Sequence, residues 1–329
     1  MTAKTLDVVG IGNAIVDVLV QADDRFLDDH GLTKGTMALV DEQQAERLYA
    51  SVGPGLETSG GSAANTLAGI AQLGGRAAFI GRVRDDQLGA IFSHDIRAAG
   101  AAFQTPPASS GPSTARCLIL VTPDAQRTMG TFLGASTFLT PDDVDPDLVR
   151  RSAITYLEGY LWDEADAKAA FVYAANLAHE AGRRVALSLS DGFVVDRHRP
   201  EFRELVDGHI DILFANEVEI CSLYETDSFD EALQQVNHHC EVAALTRGEK
   251  GAVVIRGDEV HVVDAAPVAR VEDTTGAGDL FAAGFLYGFT QGHDLGTCAR
   301  LGAVAAAEVI GHMGARPEAD LAELARPLL

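Results

Sequence analysis

The sequence has few cysteines, and their spacing excludes two kinds of small stabilising site. Only four occur in 329 residues, far apart and without a CxxC pair: Cys117, Cys221, Cys240 and Cys298. A zinc ribbon needs closely spaced pairs, and a secreted disulfide scaffold needs a denser set. His238 and His239 precede Cys240, but three consecutive side chains cannot all face one metal ion. The cysteine content therefore fits a protein of the reducing cytoplasm.

Positive charge is scarce as well. Lys and Arg number 25 against 48 Asp and Glu, which gives a formal net charge of −23 at pH 7. Such a surface repels the phosphate backbone of nucleic acids and anionic lipid headgroups. Long uncharged apolar runs are missing, and the first segment, MTAKTLDVVGIGNAIVDVLV, has neither the basic start nor the cleavage site of a signal peptide. We therefore expect a cytoplasmic protein that binds neither nucleic acid nor membranes.

Two common nucleotide-binding fingerprints are absent. No GxxxxGK[ST] occurs, so the chain has no Walker-type phosphate loop. The segment GIGNAI, residues 10–15, lacks the third glycine of a dinucleotide fingerprint. Asp17 also follows it too closely to be the acid that binds the ribose about 20 residues downstream. These absences argue against P-loop NTPases and NAD-dependent oxidoreductases.

The chain does contain an alternation of apolar strands and amphipathic helices. A 47% apolar content supplies a large core, and strands such as LDVVGIG, RVALSLS and VAALTRG alternate with helical periodicity. This order predicts an α/β protein whose mostly parallel sheet is covered by helices on both faces. Near AIVDVLVQAD and GTMALVDE, and again across residues 114–134 with their turn-like TPDAQ, strands follow one another without intervening helices. These regions predict a small β-flap on the main sheet.

The stretch DTTGAGDLF, residues 273–281, is the first candidate for chemistry. It follows two short strands and precedes the apolar helix LFAAGFLYGF. At the start of that helix Gly276, Ala277 and Gly278 would present free backbone N–H groups, which attract an anion. Asp279 would lie in the first turn, where a general base can take a proton from a hydroxyl that attacks a phosphoryl group. The alternative is that Asp279 only caps the helix and the glycines form a tight turn.

A second motif, within residues 59–89, favours the first of these interpretations. SGGSAANTLAGIAQLGG places the pair Gly60 and Gly61 directly before a helix. The pair would let a ligand approach the backbone. Asn65, one turn into the helix, offers both a donor and an acceptor to a sugar hydroxyl. Together the two motifs favour an anion site with a general base, close to a helix start that binds a sugar.

With both motifs in this order, the sequence resembles the PfkB, or ribokinase-like, carbohydrate kinases over essentially its whole length, from VVGIGNAIVDV to GARP. The resemblance implies a three-layer α/β/α fold with a mostly parallel central sheet, formed by residues 1–329 as a single domain. It also implies a small β-lid, from residues 14–42 and 112–135. The activity it implies is that of a kinase that uses ATP and Mg²⁺ and acts on a small hydroxylated substrate.

On the nucleotide side, the resemblance assigns roles to matched residues. Asp279 matches the catalytic base, and residues 276–278 match the anion hole for the γ-phosphate. In NEVE, Asn216 and Glu219 match residues that help to place Mg²⁺ and the phosphates, Glu219 through metal-bound water.

Two further segments match the surroundings of the nucleotide. In LTRGEKG, Thr246 and Gly248 match the stretch beside the nucleotide phosphates and ribose. Asp273 and Thr275 match positions that border a monovalent-cation site, for K⁺, in many members. The resemblance therefore adds K⁺ to the ligands to be tested.

On the acceptor side, the resemblance implies a pocket for a sugar ring. Asp17 in GNAIVD matches the carboxylate that binds vicinal hydroxyls, and an ionised carboxylate can accept two such hydrogen bonds. Asn13, Gly60, Gly61 and Asn65 would complete the pocket. The β-lid would close over the acceptor and keep water from competing for the phosphoryl group.

Within the family, three stretches look more like the adenosine-kinase branch than like ribokinases or fructokinases: GNAIVDVLVQADDRFLDDHGL, RTMGTFLGAS and YLEGYLW. In that branch Tyr160 falls where a ring stacks on the nucleoside base, a contact worth about 1–3 kcal/mol. Arg127 falls where a lid arginine reaches the transferred phosphate. The alternatives are that Tyr160 is a core aromatic at a strand end and that Arg127 is a solvated turn residue.

The resemblance thus implies transfer of phosphate from ATP to the 5′-hydroxyl of a nucleoside, with adenosine as the leading acceptor. A sugar kinase of the same fold is the nearer alternative, and a non-catalytic regulator that binds a nucleoside is the more distant one. The expected partners are small molecules, a nucleoside or sugar together with ATP. Exposed strand edges of the lid leave both a monomer and a homodimer open.

Overall fold

The computed structural model describes residues 5–124 and 126–329, and it contains fourteen strands and twelve helices. The first four residues of the segment inspected for a signal peptide, and Ala125 in the predicted TPDAQ turn, lie outside the described residues. The strands are β1 (Leu6–Ile11), β2 (Ile15–Gln21), β3 (Met37–Leu39), β4 (Leu56–Gly60), β5 (Ala77–Ile80), β6 (Ala102–Phe103), β7 (Ala115–Val121), β8 (Arg127–Phe132), β9 (Ser152–Glu158), β10 (Arg184–Ser188), β11 (Ile212–Asn216), β12 (Val242–Thr246), β13 (Ala252–Arg256) and β14 (Glu259–Val263). The helices are α1 (Asp24–Asp29), α2 (Glu42–Ser51), α3 (Ser62–Gln72), α4 (Gln87–Ala98), α5 (Pro146–Arg151), α6 (Ala165–Glu180), α7 (Gly192–His209), α8 (Glu217–Tyr224), α9 (Phe229–Val236), α10 (Ala277–Gln291), α11 (Leu295–Val309) and α12 (Leu321–Ala325).

Nine strands form the main sheet, in the order β14-β13-β12-β11-β10-β9-β1-β5-β6. The seven strands from β12 to β6 run parallel to their neighbours. β13 is antiparallel to β12 and to β14, and the tight connection between β13 and β14 needs no helix. The predicted α/β class with a mostly parallel sheet is confirmed.

Helices cover both faces of this sheet, because alternate residues of each central strand point to opposite sides. Val8 and Tyr156 belong to one core, which includes apolar residues of α3, α10 and α11. Val9 and Leu157 belong to the other, which includes apolar residues of α6, α7 and α8. The predicted three-layer arrangement is therefore present. In the described residues no helix combines the length and the apolar character needed to cross a bilayer.

Five strands form a second, smaller sheet in the order β3-β8-β7-β2-β4, which we call the lid sheet. β2 and β7 are parallel, as are β3 and β8, whereas β7 and β8 form an antiparallel hairpin. Asp17, Cys117, Thr131 and Leu39 lie opposite one another across four neighbouring strands. Residues in such a row project to the same face, so this row marks one side of the lid sheet.

Two details of the lid sheet differ from the sequence prediction. Helix α1 separates β2 from β3, although these strands were predicted to follow one another without a helix. Asp23 caps this helix by accepting the N–H of Phe26, a local interaction that outweighs the extended tendency of the flanking residues. β4 also joins the lid sheet, and its residues lie outside the ranges predicted for the lid. Pairing with β2 brings the Gly60–Gly61 turn into contact with that strand.

Candidate active site

The candidate site lies where the carboxyl ends of parallel strands meet the starts of two helices. β11 ends at Asn216, directly beside Thr246 at the end of β12. Parallel strands end at the same edge of a sheet, so these side chains share one crevice. α3 and α10 meet there as well, because Ser62 and Asn65 on α3 both donate to the carboxylate of Asp279 on α10.

Both of these helices begin at a glycine without a side-chain cap. Nine of the twelve helices in the described residues begin at an Asp, Asn or Ser that accepts a backbone N–H. α3 begins after Gly61 and α10 after Gly276, and neither has such a bond. At α3 the Glu158 carboxylate takes that place and accepts the N–H of Ala63 at 2.8 Å. At α10 no described side chain does so, which leaves the positive end of a 15-residue helix open to an anion.

Asp279 lies in the first turn of α10 and is held from two sides. The Ser62 hydroxyl donates to Oδ1 at 2.6 Å and the Asn65 amide donates to Oδ2 at 2.9 Å. Burial raises the pKa of Asp279, while these two hydrogen bonds and the charge of Arg316 lower it. The result is an oriented carboxylate with a raised affinity for a proton, as a general base requires. Ser62 was not predicted, although its place between Gly61 and Asn65 in the second motif was a usable signal.

The glycine pair allows the lid sheet to approach the start of α3. A Cβ built at Gly60 would lie 2.2 Å from Oδ2 of Asp17. One at Gly61, whose φ is +98°, would lie 2.3 Å from the backbone oxygen of Asn13. Both distances are shorter than any non-bonded contact, so larger residues would push Asp17 and Asn13 away. The four predicted acceptor-side residues Asp17, Asn13, Gly60 and Gly61 are therefore brought together.

Asp17 is partly buried and is influenced by charges on several elements. Burial raises its pKa to about 6, with Arg316 and Arg127 opposing the rise and Asp279 adding to it. The group is therefore ionised at neutral pH and protonated in mild acid. A carboxylate in this state accepts hydrogen bonds from hydroxyl groups.

Asn13 supports the pocket instead of offering it a free side chain. It is only 2% exposed, its Oδ1 accepts the Ser136 hydroxyl at 2.8 Å, and its Nδ2 donates to Glu158 at 2.7 Å. Glu158, at the end of β9, also accepts the backbone N–H groups of Asn13 and Ala63. Burial raises the pKa of Glu158 to about 7, and these donors oppose the rise. Sequence reasoning missed Glu158, although an acidic residue in the apolar run ITYLEGYLW was a signal.

Asn216 and Glu219 form a closed pair at the start of α8. Asn216 donates to both oxygens of Glu219, from its backbone at 3.0 Å and from its side chain at 2.5 Å. The Glu219 backbone N–H returns a bond to Asn216 Oδ1 at 2.9 Å. Burial, together with Asp191 and Asp279, raises the pKa of Glu219 to about 7, while the Asn216 N–H lowers it. Asp191, at the start of α7, is a further acidic residue that sequence reasoning missed.

This donor set fits a magnesium ion that keeps most of its water. In residues 5–124 and 126–329, no three Asp, Glu, His or Cys side chains converge as direct ligands of one metal. Mg²⁺ retains several waters and takes substrate phosphate oxygens as ligands, so one or two nearby carboxylates suffice. Glu219 and Asn216 fit as groups that bind those waters, and this role stays a prediction.

Asp273 and Thr275 do not fit a resident monovalent cation. Oδ1 of Asp273 accepts the backbone N–H and the hydroxyl of Thr275, at 3.1 and 2.7 Å. Oδ2 accepts the Gly314 N–H at 3.0 Å and Arg127 Nη1 at 2.5 Å. Four donors occupy the roughly four lone-pair sites of a carboxylate. We therefore derive no step that involves K⁺.

Arg127 links the lid sheet to the loop before α10. Its side chain is 11% exposed and forms an ion pair with Asp273, so it is not the solvated turn residue considered as the alternative. Its Nε and Nη2 atoms are buried and have no hydrogen-bond partner in the described residues. Buried donors of this kind are costly unless a ligand or water satisfies them. Arg127 also lies close enough to Asp17 for its charge to lower the pKa of that carboxylate.

Tyr160 and Gly248 lie at the rim of the crevice. Tyr160, just after β9, is 39% exposed, so it is not a core aromatic. Burial raises the pKa of its hydroxyl, with Asp191 and Asp279 next in effect, and the group remains a donor at neutral pH. Gly248 has φ +58° and open space around it, directly after β12. Stacking by Tyr160 and nucleotide binding at Thr246 and Gly248 stay predictions.

An apolar groove lies on the lid sheet, on the face to which Asp17 also projects. Leu39, Thr131, Phe132 and Phe138 are among its lining residues. Leu39 and Phe138 are 59% and 56% exposed, which is unusual for large apolar side chains unless they meet a ligand or partner. Leu39 and Thr131 belong to the same cross-strand row as Asp17. The groove thus shares one face of the lid sheet with Asp17, although Asp17 does not line it.

The chain is similar to known kinases over nearly its whole length. The model of the pfkB family of carbohydrate kinases matches residues 40–321. A solved adenosine kinase from Sinorhizobium meliloti is 53% identical, with a TM-score of 0.90, covering 99% of this chain and 100% of that one. A probable sugar kinase from Rhizobium etli CFN 42 is 50% identical, with a TM-score of 0.91 and the same coverage. The adenosine kinase of Saccharomyces cerevisiae is 26% identical over 335 residues, covering 94% of this chain and 96% of the relative.

Proposed function

Because the chain belongs to the pfkB family of carbohydrate kinases, we propose that it transfers the γ-phosphoryl group of ATP to the 5′-hydroxyl of a nucleoside, and that adenosine is its acceptor. The product would be AMP, so the reaction returns a free nucleoside to the nucleotide pool. The choice of acceptor rests on the apolar groove, which shares a face of the lid sheet with Asp17. A nucleoside has a hydroxylated ring and a flat apolar base, and these match Asp17 and the groove respectively.

The ribose end of the acceptor would be bound by two oxygen-bearing side chains. Asp17 is ionised at neutral pH and can accept hydrogen bonds from two vicinal hydroxyls. Asn65 has a buried Oδ1 without a partner in the described residues, while its Nδ2 is held by Asp279. A substrate hydroxyl would satisfy that oxygen. Both contacts bring the ring close to Asp279.

Asp279 would act as the general base. Its carboxylate takes the proton of the 5′-hydroxyl as that oxygen attacks the γ-phosphorus, a new P–O bond forms, and the bond to the β-phosphate oxygen breaks to release ADP. Ser62 and Asn65 fix the carboxylate, so little reorganisation is needed at the moment of transfer. Burial raises the pKa of Asp279, which increases its affinity for the proton that a general base accepts.

Charge on the transferring group would be stabilised by two sets of donors. The uncapped start of α10 supplies the amides around Gly278, above which the structure has open space. Arg127 supplies the unpartnered Nε and Nη2. Mg²⁺ bound with ATP would neutralise phosphate charge, and Asn216 and Glu219 would hold its waters.

A sugar kinase of the same fold is the second candidate. The similarity to a protein described as a probable sugar kinase, at 50% identity, favours it. A free sugar has no flat apolar base and would leave the apolar groove unused, so we prefer a nucleoside. The third candidate, a regulator that binds a nucleoside without catalysis, does not explain an oriented Asp279 beside an open helix start.

An acceptor screen separates these candidates. The wild-type protein is incubated with Mg²⁺-ATP and adenosine, inosine, guanosine, ribose or fructose, and ADP and the phosphorylated product are measured. Adenosine should give the highest kcat/KM. Higher kcat/KM with ribose or fructose would replace the nucleoside by a sugar, and tight adenosine binding without ADP formation would favour the regulator.

A variant pair tests the groove itself. Phe138→Ala should lower kcat/KM for adenosine by about tenfold, the value expected when one apolar contact with a base is lost, and should leave ribose turnover unchanged. Val262→Ala, at an apolar residue that is 72% exposed on the edge strand β14, is the matched control and should change neither. Equal loss with both acceptors in Phe138→Ala would contradict a base-binding role for the groove.

A further inference from the structure

Arg316 reaches from the segment after α11 to the start of α3. Its Nε and Nη2 atoms donate to the backbone oxygen of Ser59 at 3.1 and 2.8 Å, and Nη2 also donates to the Ser59 hydroxyl. Its Nη1 donates to the backbone oxygen of Ala64 at 2.9 Å. The guanidinium therefore holds the chain on both sides of the turn that carries Gly60 and Ser62.

The opposite side of this turn faces the acceptor site. Asp17 packs against Gly60, as the 2.2 Å distance to a Cβ at that position shows. Asp279 accepts from Ser62 and Asn65 on the same stretch. Residues 59–65 thus contact Arg316 and both carboxylates.

The cation has no direct ion-pair partner among the described residues. Its charge interacts electrostatically with the carboxylates of Asp95, Asp17 and Asp279. Burial lowers the pKa of Arg316 to about 10, so the group stays charged at neutral pH. A partly buried charge without a direct ion pair is costly, and neutral donors could satisfy two backbone oxygens. A charge at this position therefore calls for an explanation beyond hydrogen bonding.

The electrostatics of the site explain why a charge stands at position 316. Burial raises the pKa values of Asp17 and Asp279, and the site must also accept a triphosphate. Arg127, the other cation that acts on Asp17, is already paired with Asp273. The titratable and charged groups that face Asp17 are Arg316, Arg127 on β8, Asp279 on α10 and Cys117 on β7. Those that face Asp279 are Arg316, Asp17 on β2, Tyr156 and Glu158 on β9, Tyr160 after β9 and Glu219 on α8.

We propose that Arg316 is a positioning residue of the phosphoryl-transfer site: it fixes residues 59–65, and its charge stabilises the carboxylates of Asp17 and Asp279. The proposal rests on the function proposed above, because it matters only if Asp279 takes a proton. Arg316 acts through the turn that it holds and through the effect of its charge on the two carboxylates.

The pH dependence of kcat/KM distinguishes this role from that of a structural clamp. Arg316→Gln retains hydrogen-bond donors but removes the charge, so the pKa values of both carboxylates rise and the acid limb of log kcat/KM moves up by about one pH unit. Activity should therefore fall by about tenfold on the acid limb and recover at higher pH. Arg316→Lys retains the charge and should lose activity equally at all pH values, with the limb in place. Arg76→Gln, at an exposed arginine paired with Asp7, is the control and should match the wild type.

A uniform loss in Arg316→Gln with an unmoved acid limb would overturn the electrostatic role. If Arg316→Gln does not fold, as judged by circular dichroism, Arg316→Lys provides the test. An acid limb shifted by a full pH unit in that variant, despite the retained charge, would also overturn the electrostatic role. If the wild type phosphorylates none of the acceptors, the function fails independently. In that case ¹³C NMR titration of the aspartate carboxyl groups, in wild type and Arg316→Gln, still measures whether the charge holds their pKa values down.

Discussion

Asp279→Asn tests the proposed reaction most directly, because the surrounding hydrogen bonds can survive the change. The carboxylate accepts from Ser62 at 2.6 Å and from Asn65 at 2.9 Å. An asparagine can turn its oxygen to the Asn65 amide and its NH₂ to the Ser62 hydroxyl, which is able to accept. The variant should therefore keep its fold and lose only the group that accepts a proton.

The expected loss is that of a general base. Such a group contributes about 10²–10⁴ to the rate, which corresponds to about 3–5 kcal/mol in the activation free energy. ATP affinity should stay within roughly tenfold, because the lost interaction matters mainly in the transition state. In the wild type kcat/KM should fall on the acid side, since Asp279 must be deprotonated and burial raises its pKa. The acid limb that belongs to Asp279 should be missing in the variant.

The assay is coupled ADP release with adenosine between pH 5 and 9, together with ATP binding by calorimetry. Ser62→Ala is the matched control, because it keeps the carboxylate and removes a hydrogen bond that lowers its pKa. Its acid limb should move to higher pH while the plateau changes little. Turnover within a few-fold of the wild type in Asp279→Asn, or a retained acid limb of the same position and slope, would refute the assignment of Asp279 as the base.

Three further outcomes follow from contacts in the site. Gly60→Ala should raise the acceptor KM by about tenfold or more with little change in the ATP KM, because the added Cβ would lie 2.2 Å from Asp17. Unchanged acceptor kinetics would contradict the packing of Asp17 against Gly60. Arg127→Lys should lower kcat by about 10–100-fold, because a lysine cannot hold Asp273 and a phosphate oxygen together, and steady-state kinetics with adenosine measure it. Replacing K⁺ by tetramethylammonium should leave kcat within about twofold, because four donors already occupy the Asp273 oxygens. If activity is lost and K⁺ restores it, a cation binds elsewhere or the Arg127–Asp273 ion pair opens.

The residues that could be predicted from sequence are those whose role depends on the local backbone conformation, which the neighbouring residues determine. The glycines of DTTGAGDLF and SGGSAAN mark helix starts whatever else surrounds them, and Asp279 and Asn65 stand at fixed offsets from those starts. The order of strands and helices likewise indicated a parallel sheet, and the predicted family membership is confirmed. Such features depend on neighbours within a few residues, which a sequence displays directly.

Ser62, Glu158 and Arg316 were missed because their partners lie far away in the chain. Arg316 meets Ser59 across 257 positions, and Glu158 meets Ala63 across 95. No periodicity or spacing rule connects such pairs. Ser62 had its place in the second motif as a signal, whereas Glu158 stood out only as an acid in an apolar strand and Arg316 only as an arginine within GARP. Their roles required the folded arrangement of β9, α3 and the segment after α11.

The secondary structure that was missed has a different cause. Helix α7 runs from Gly192 to His209, where the sequence shows a charged stretch interrupted by Pro200. The backbone departs from helical geometry at His198, so the two halves pack at an angle and each shows too few apolar residues for a clear period. Val195 and Phe202, one on each side of this kink, are fully buried. Tertiary packing therefore decides this helix.

The absence of caps on α3 and α10 is itself informative about function. A side-chain cap contributes about 1 kcal/mol, and most helices of this chain have one. At α3 the cap is replaced by Glu158, which ties the helix start to β9 and to Asn13. At α10 no described side chain replaces it, and the Ala277 N–H donates to the Thr274 carbonyl at 3.2 Å, which leaves the remaining amides of the first turn for the proposed anion. The fold gives up local stability where the phosphate is proposed to bind: of the three described α-helices without a side-chain cap, α3, α6 and α10, two meet at Asp279.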